Sequence, residues 1–552
     1  MAGFTGIVHQ DKDDLFWFDD QAVRAPKDVP RRAAWSGTTW YTTSAVSMAR
    51  LIALMGPDDE AFGPTPERPL GVHFRWNDGK RGYKVISSSL WGVRKRDPRD
   101  TEAELSYRMH ACAQDGVMPR LSAAGTAIRR YMDVYDGRGG RPFTRQLPPR
   151  WRAMAHASFH GGPIVLTRGS ARECVHIDMR AAYLDAMTRP LPVYGVLHDR
   201  KVGGWYTIEG ASWGRIRNKI GFIEAEVHVD QALGEELGIP PLPVRLGFST
   251  TFPTGTFSGC WPIQMVREAE DRGEVSIKRV HQWCFAPSSM PLFDEIAKDF
   301  GGCHQGKLLY TRFWGKWASK GGFLGKRSDD PPSGSIKSCG IWWGFDGVAP
   351  FSHQAPATYR PDLAALIAGY NHMQVMAAVR QLQPGSVVGL HVDAIWTTDI
   401  EGAEALINAE GSRWIEKQRG PARFYGPGVY HHNSRIAASG YDATALGPLT
   451  PETLALWSAS PLNKDHRGTM QSRRWSAPPA MDAAATSRPV HLEAGQTTPP
   501  VQGPNVNDSC WTTTGWLKRE IRDQLEAGGR GIPPDRRPWQ AIAEQGVPDG
   551  AT

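Results

Sequence analysis

Two acidic residues stand among apolar neighbours in a way that suggests chemistry. In CVHIDMRAAYLDAM an apolar run delivers Asp178 at its end, and Tyr183 follows after one further turn of chain. In VVGLHVDAIWTTD, Asp393 lies inside a run that alternation would fill with Val or Ile. An acid there carries a desolvation cost, so it has to be paired, metal-bound or at a sheet edge. Two such acids on neighbouring strands can hold a pair of Mg²⁺ ions, which clamp the attacking and leaving oxygens of a phosphoryl transfer. Taken singly, an Asp that ends a strand is more often a turn former or a helix cap. A third segment, GKLLYTRFWGKWASKGG, puts Lys307, Thr311 and Trp314 on one face of a predicted helix. A basic, a small polar and an aromatic side chain on one stripe suit a triphosphate and a stacked base. The plainer reading is a helix with a snorkelling Lys and a buried Trp.

The elements that position these residues read as α+β. ECVHIDM, GFIEAEVHV and VVGLHVDAIW have strand length and branched apolar residues. RPDLAALIAGYNHMQVMAAVRQL repeats at three to four residues, ends at Gln383-Pro384-Gly385, and feeds directly into the strand expected to carry Asp393. Turn-rich stretches punctuate the chain at Asp136 to Pro149 and around Pro331. A third, from about Ser476 to Asn507, is rich in Pro, Ala, Thr and Gln and predicts a disordered tether. Beyond it, WLKREIRDQLEAG predicts an appended helix. There is no repeat of solenoid length.

The 552 residues are 40% apolar, enough for several domains with ordinary cores. A formal charge of +7 and a pI near 9.0 give a mildly basic surface that suits a polyanionic partner. The seven cysteines, at 112, 174, 260, 284, 303, 339 and 510, form no CxxC pair and no zinc-finger spacing, which predicts a reducing compartment without structural zinc. No basic-then-apolar leader and no run of about eighteen apolar residues occurs, so neither standard secretion nor membrane spanning is expected. The 21 Trp residues and the abundance of Arg, Gly and Ala fit high-GC coding bias and carry no functional reading.

In this order the three segments resemble the motifs of family B DNA polymerases, especially the protein-primed branch of small bacteriophages and linear plasmids. The family's first palm motif is Asp, two variable residues, Ser-Leu-Tyr-Pro. Asp178-Met179-Arg180-Ala181-Ala182-Tyr183-Leu184 keeps its acid and tyrosine. The fingers motif, Lys, three residues, Asn-Ser-x-Tyr-Gly, is similar to Lys307 through Gly315, with Thr311 for Asn and Trp314 for Tyr. The motif Tyr-x-Asp-Thr-Asp-Ser resembles Gly389 to Ala394, with His391 for the first Asp and Asp393 for the second, the family's metal ligand. SFHGGPIV, with Gly161 and Gly162, looks like the Tyr-x-Gly-Gly hinge. GPGVYHH at Tyr430 looks like the primer-gripping Lys-x-Tyr segment, with Gly428 for Lys and Arg423 as its substitute. LFWFDDQAV resembles the strand and Asp-x-Glu of a proofreading exonuclease, keeping Asp19 but placing Gln21 where Glu belongs; Asp100 would add another acid. A neutral ligand in a two-metal nuclease weakens metal binding, so the exonuclease-like domain reads as decayed.

The resemblance implies a right hand of palm, fingers and thumb behind an N-terminal exonuclease-like domain. Its boundaries fall at 1–135 (exonuclease-like), 150–300 (first palm part with an inserted subdomain), 301–345 (fingers), 346–410 (second palm part), 411–475 (thumb-like), 476–507 (linker) and 508–552 (helical tail). It implies template-directed DNA synthesis, with Asp178, the Met179 carbonyl and Asp393 holding two Mg²⁺, or Mn²⁺ in their place. Tyr183, Lys307, Thr311 and Trp314 would meet the nucleotide, and Gly161, Gly162, Arg423 and Tyr430 the DNA. The implied partners are template, primer, deoxynucleoside triphosphates and a terminal protein, with no membrane, in the cytoplasm of a bacterial host. Two alternatives stand beside it: a replisome scaffold that keeps the palm without its chemistry, and a primase-like or untemplated nucleotidyltransferase.

Overall fold

The computed structural model describes residues 4–10, 16–18, 21–23, 39–43, 48, 51–52, 60–63, 71–75, 82–93, 97–136, 149–193, 195–197, 200–202, 212–246, 249–286, 288–318, 323–326, 335–338, 341–344, 359–426, 429–438, 449–450 and 491–492. The chain divides into two compact units, one drawn from 1–141, 295–359 and 520–541, the other from 142–294, 360–519 and 542–552. Both mix sheet and helix, as the α+β reading expects.

The first unit holds a ten-stranded sheet. The Phe4–Gln10 strand lies between Phe16–Phe18, antiparallel to it, and Thr39–Thr42, parallel to it; Gly82–Ser87 then continues the parallel order. Buried Val8, Trp40, Tyr41, Val85 and Ile86 explain why these short runs become strands. The Phe323–Lys326 strand, from far along the chain, pairs with Glu60–Gly63. The segment expected as fingers thus belongs to the same unit as the N-terminal residues. Its Gly306–Ala318 helix packs on Ala123–Asp136 through Tyr131, whose ring lies 5.3 Å from Phe313 and 5.8 Å from Trp317. Arg130 makes a two-pronged bond to Asp299, at 2.9 and 2.6 Å.

In LFWFDDQAV, Phe16–Phe18 forms a strand, and Asp19 lies outside the described residues. The neighbouring strand, FTGIVHQ, carries no carboxylate. Asp100 sits exposed in the first turn of the Pro98–Gln114 helix, capped by Asp97, where a negative charge suits the helix dipole.

The second unit centres on a seven-stranded antiparallel sheet. Its strands are β1 (Ile164–Leu166), β2 (Ser170–Met179), β3 (Val387–His391), β4 (Ala394–Thr397), β5 (Trp414–Gly426), β6 (Val429–His432) and β7 (Arg435–Ala438), in the order β7-β6-β5-β2-β4-β3-β1. Alternation along β2 gives it two faces. Val175, Ile177 and Met179 pack with Ile395 and Leu390 against two helices, α2 (Pro361–Val379) and α3 (Ile400–Asn408), through Val375, Met376, Val379, Ala403 and Leu406. Each aliphatic side chain so buried contributes roughly 1.5–3 kcal/mol. Cys174 faces the other way, with Ala394, Trp396, Phe424 and Tyr430. Between β2 and α2 in the chain, α1 (Ala182–Thr188) follows the first acid.

A second sheet in this unit joins Ser276–Ala286, Ile220–Val229 and Thr254–Pro262, within the stretch read as an inserted subdomain. Its outer edge at Thr254 and Gly255 is covered by His491–Leu492, which pairs parallel to it. An uncovered strand edge offers unpaired N–H and C=O groups that even a polar segment can satisfy. The rest of 476–507 and the tail 508–552 lie outside the described residues. No disulfide joins the described cysteines, and among the described residues no helix is long and apolar enough to cross a membrane.

Candidate active site

Asp178 occupies the penultimate position of β2, the central strand of the seven. It faces Ala394 on β4 on one side and Ile415 on β5 on the other. On its own face the preceding residue is His176, stacked on Trp396 at 4.1 Å and 16°, with Tyr430 and His432 beyond. Burial pushes the His176 imidazole down to about 3, so the ring is a neutral part of an aromatic platform next to the acid.

Asp393 does not lie inside a strand, as the apolar run suggested. His391 pairs with Ala394, so Val392 and Asp393 form a two-residue hairpin turn between β3 and β4. Val392 has φ +64°, a left-handed conformation that costs a branched residue on the order of 1–2 kcal/mol. Two hydrogen bonds hold it there: Val392 N donates to Pro163 O at 2.6 Å, and Asp393 N donates to His391 O at 2.9 Å. The usual turn signals, Asn-Gly or Asp-Gly, are absent, which is why a continuous strand was expected. Met179 N donates to Asp393 O at 3.0 Å, so the backbones carrying the two acids are bonded directly. Desolvation lowers the His391 imidazole below the ordinary value, against the opposing pull of the Asp178 charge.

The chain leaves Met179 through Ala181, which also has a left-handed φ of +51°, and enters α1. Arg180 N donates to Arg413 O at 2.8 Å. On α1, Asp185 accepts from Gln374 of α2 at 2.5 Å and lies 3.2 Å from Arg413, whose guanidinium donates to Gln374 at 2.8 Å. This network fixes the helix that carries Tyr183, which is half-buried.

A residue missing from the sequence reading also meets the acid: Lys417 of β5 lies with its Nζ 3.1 Å from Asp178 Oδ2. Nothing in WIEKQRG announces it. His176, by contrast, was legible as the residue two before Asp178 on an alternating strand.

The remaining expected site residues fall in several places. Gly161, with φ +71°, and Gly162 precede β1, and Gly162 abuts Val392. Arg423 is exposed on β5. Tyr430, expected to grip a primer, is 5% exposed, with its ring 5.1 Å from that of Trp396. It is a core residue, because alternation on β6 turns it onto the aromatic face of the sheet. In the other unit, Lys307 is exposed and Trp314 half-buried on the Gly306–Ala318 helix, while Leu309, Tyr310, Phe313 and Trp317 are buried. The Thr311 hydroxyl donates to Lys307 O at 2.7 Å, so it is engaged by its own helix.

Two carboxylates and a main-chain carbonyl are a donor set that suits Mg²⁺ when phosphate oxygens and water complete its octahedron. Among the described residues no group of three or more His, Cys, Asp and Glu side chains gathers.

No protein-family model matches the sequence, and no curated protein matches it either. Solved structures do. "Phi29 DNA polymerase complexed with primer-template DNA and incoming nucleotide substrates (ternary complex)" matches 76% of this chain and 87% of its own, at 11% identity and a TM-score of 0.54. The chain shares the fold of Phi29 DNA polymerase. A second structure of Phi29 DNA polymerase, complexed with single-stranded DNA, agrees over 75% and 85% of the two chains at 10% identity and a TM-score of 0.54. Its orthorhombic crystal form agrees over 73% and 81% at 11% identity and a TM-score of 0.50. Sequences this far apart share with Phi29 DNA polymerase a course of the chain, and the chemistry has to be argued from the site.

Proposed function

We propose that the protein is a template-directed DNA polymerase of the family B type, with its proofreading lost. The observation that carries this is the pairing of β2 with β4, which brings Asp178 beside the hairpin that holds Asp393, in a chain with the Phi29 DNA polymerase fold. Two acids, one near the end of a strand and one in the tight turn that leads into the adjacent antiparallel strand, suit a site for nucleotidyl transfer.

Asp178, Asp393 and the Met179 carbonyl would hold Mg²⁺, two ions in the full reading, with Mn²⁺ as a replacement. When bound, Mg²⁺ supplies charge stabilisation to the phosphoryl oxygens and makes a primer hydroxyl easier to deprotonate. The protein's own groups do the rest. The Tyr183 ring, carried by the pinned helix α1, stacks under the sugar and excludes a ribose 2′-hydroxyl. Lys307, exposed on its helix, neutralises charge on the incoming triphosphate, and Trp314 borders the base. Arg423, exposed on β5, holds primer or template phosphate without reading sequence. The DNA and nucleotide partners printed for the Phi29 DNA polymerase complexes support template, primer and deoxynucleoside triphosphates as partners here. A terminal protein as primer is part of the same proposal.

The scaffold reading is favoured by the departures from the family's motifs, Thr311 for Asn and His391 for the first Asp of the third motif. Primer extension with and without template decides between them. Templated extension supports the polymerase, template-independent addition supports the untemplated enzyme, and DNA binding without extension under any metal condition supports the scaffold.

A further inference from the structure

Lys417 occupies an irregular place on β5. Glu416 faces Ile177 of β2 and Gln418 faces His176, so Lys417 is the extra residue of a β-bulge. Bulges beside functional sites re-aim a side chain, and this one brings the Lys417 ammonium to 3.1 Å from Asp178 Oδ2. The Lys417 side chain is 31% exposed and that of Asp178 24%. An ion pair so open to water adds little stability, about 0–1 kcal/mol, so stability is a weak reason for distorting a central strand pair. The bulge makes better sense as a device that sets the charge at Asp178.

We propose that Lys417 is a built-in counter-ion of the acid pair, occupying an Asp178 oxygen in the free protein so that a divalent ion alone binds weakly and binds well only when a nucleotide's phosphates come with it. This rests on the polymerase reading of Asp178 and Asp393. Asp178, Asp393 and Lys417 together carry a net charge of about −1, enough to favour one divalent ion only modestly. Phosphates that arrive with the metal supply both the missing negative charge and a second partner for the ammonium. Lys417 is therefore a positioning residue: it acts through Asp178 and governs when the site takes metal.

The test uses the full chain without DNA or nucleotide and follows Mn²⁺ binding by the electron paramagnetic resonance signal of the free ion. Lys417→Gln is expected to bind Mn²⁺ about tenfold more tightly than the wild type, because a positive charge a few ångströms from the ion has gone. Lys417→Arg, which keeps the charge, is expected to stay within about twofold of the wild type. Adding Asp178→Asn to Lys417→Gln is expected to abolish the gained site. Lys417→Met, which keeps the stem's packing, provides a second neutral variant should the first unfold. If neither neutral variant binds Mn²⁺ more tightly, while Asp178→Asn still weakens binding in the wild-type background, the counter-ion role is wrong and the metal site stands. If no variant has Asp178-dependent Mn²⁺ binding, the counter-ion role and the metal site fall together.

Discussion

Gly162 and Val392 touch so closely that a Cβ on Gly162 would lie 2.7 Å from Val392 Cγ1 and 2.8 Å from Val392 Cα. Val392 is the strained residue of the turn that also contains Asp393, and its N–H is held by the carbonyl of Pro163, the next residue along from Gly162. The glycine that the sequence suggests as a domain hinge thus seats the hairpin of the second acid.

Gly162→Ala is accordingly expected to push Val392 and Asp393 out of place. Overpacking of this kind costs about 1–3 kcal/mol, read as a lower urea midpoint. Primer extension should fall more than stability does, by about a hundredfold, because a shift of about 1 Å in a reacting group is costly. Wild-type extension by a stably folded Gly162→Ala protein would show that the turn does not depend on this contact.

The N-terminal unit leads to an expectation about proofreading. Its Phe4–Gln10 strand has no carboxylate, Gln21 stands in a later strand, and Asp100 belongs to the first turn of a helix. The purified protein should digest single-stranded DNA from the 3′ end weakly or not at all. Robust Mg²⁺-dependent digestion that survives Asp393→Asn and disappears with Asp19→Ala would reverse that reading.

What the sequence made legible was periodicity and chemistry at strand ends. The long apolar run of α2, buried on nearly every face, and the branched run of β2 are strong local signals, and Asp178 stands near the end of its strand for that reason. Asp393 was identified as a residue but misplaced as an element, because its turn uses Val392 where a Gly or Asn would have marked it. Tyr430 kept its motif position while the sheet turned it inward, a fact set by pairing with β5 and β7 and not by its neighbours in sequence. Lys417 was invisible because a bulge depends on the register of two strands more than 230 residues apart, here residue 417 against residues 176 and 177.

Stability should fall in mild acid. His372, on α2, is buried with its Nε2 2.9 Å from Pro241 O, and desolvation lowers its imidazole to about 4, with the Arg380 charge acting in the same direction. An unfolded histidine takes a proton near about 6.5. The stabilisation from keeping this ring neutral is therefore fully present above about pH 6.5 and is lost as the pH falls towards about 4. From this group alone the loss between about pH 7.5 and pH 5 is about 2 kcal/mol. Urea unfolding at the two pH values, for the wild type and for His372→Gln, measures it. The variant should lose that share of the slope, and an unchanged slope would mean that His372 is not the group responsible.

The decisive variant for catalysis is Asp393→Asn. It keeps the shape of the turn and its backbone hydrogen bonds while removing one of the negative charges that balance Mg²⁺, so templated primer extension should drop by about a thousandfold or more with folding intact. DNA binding, spread over exposed groups such as Arg423, should hardly fall and can rise slightly, since a charge that repels phosphate has gone. Lys307→Ala separates nucleotide from primer. Lys307 is exposed on the Gly306–Ala318 helix, and the variant should raise the apparent KM for the nucleotide by about tenfold while leaving primer affinity unchanged. The readouts are primer extension over a range of nucleotide concentrations and a binding assay at fixed salt. A wild type that extends a templated primer beside an Asp393→Asn variant that extends it equally well would remove Asp393 from the chemistry. A Lys307→Ala variant that loses primer affinity at an unchanged nucleotide KM would move Lys307 from the triphosphate to the DNA.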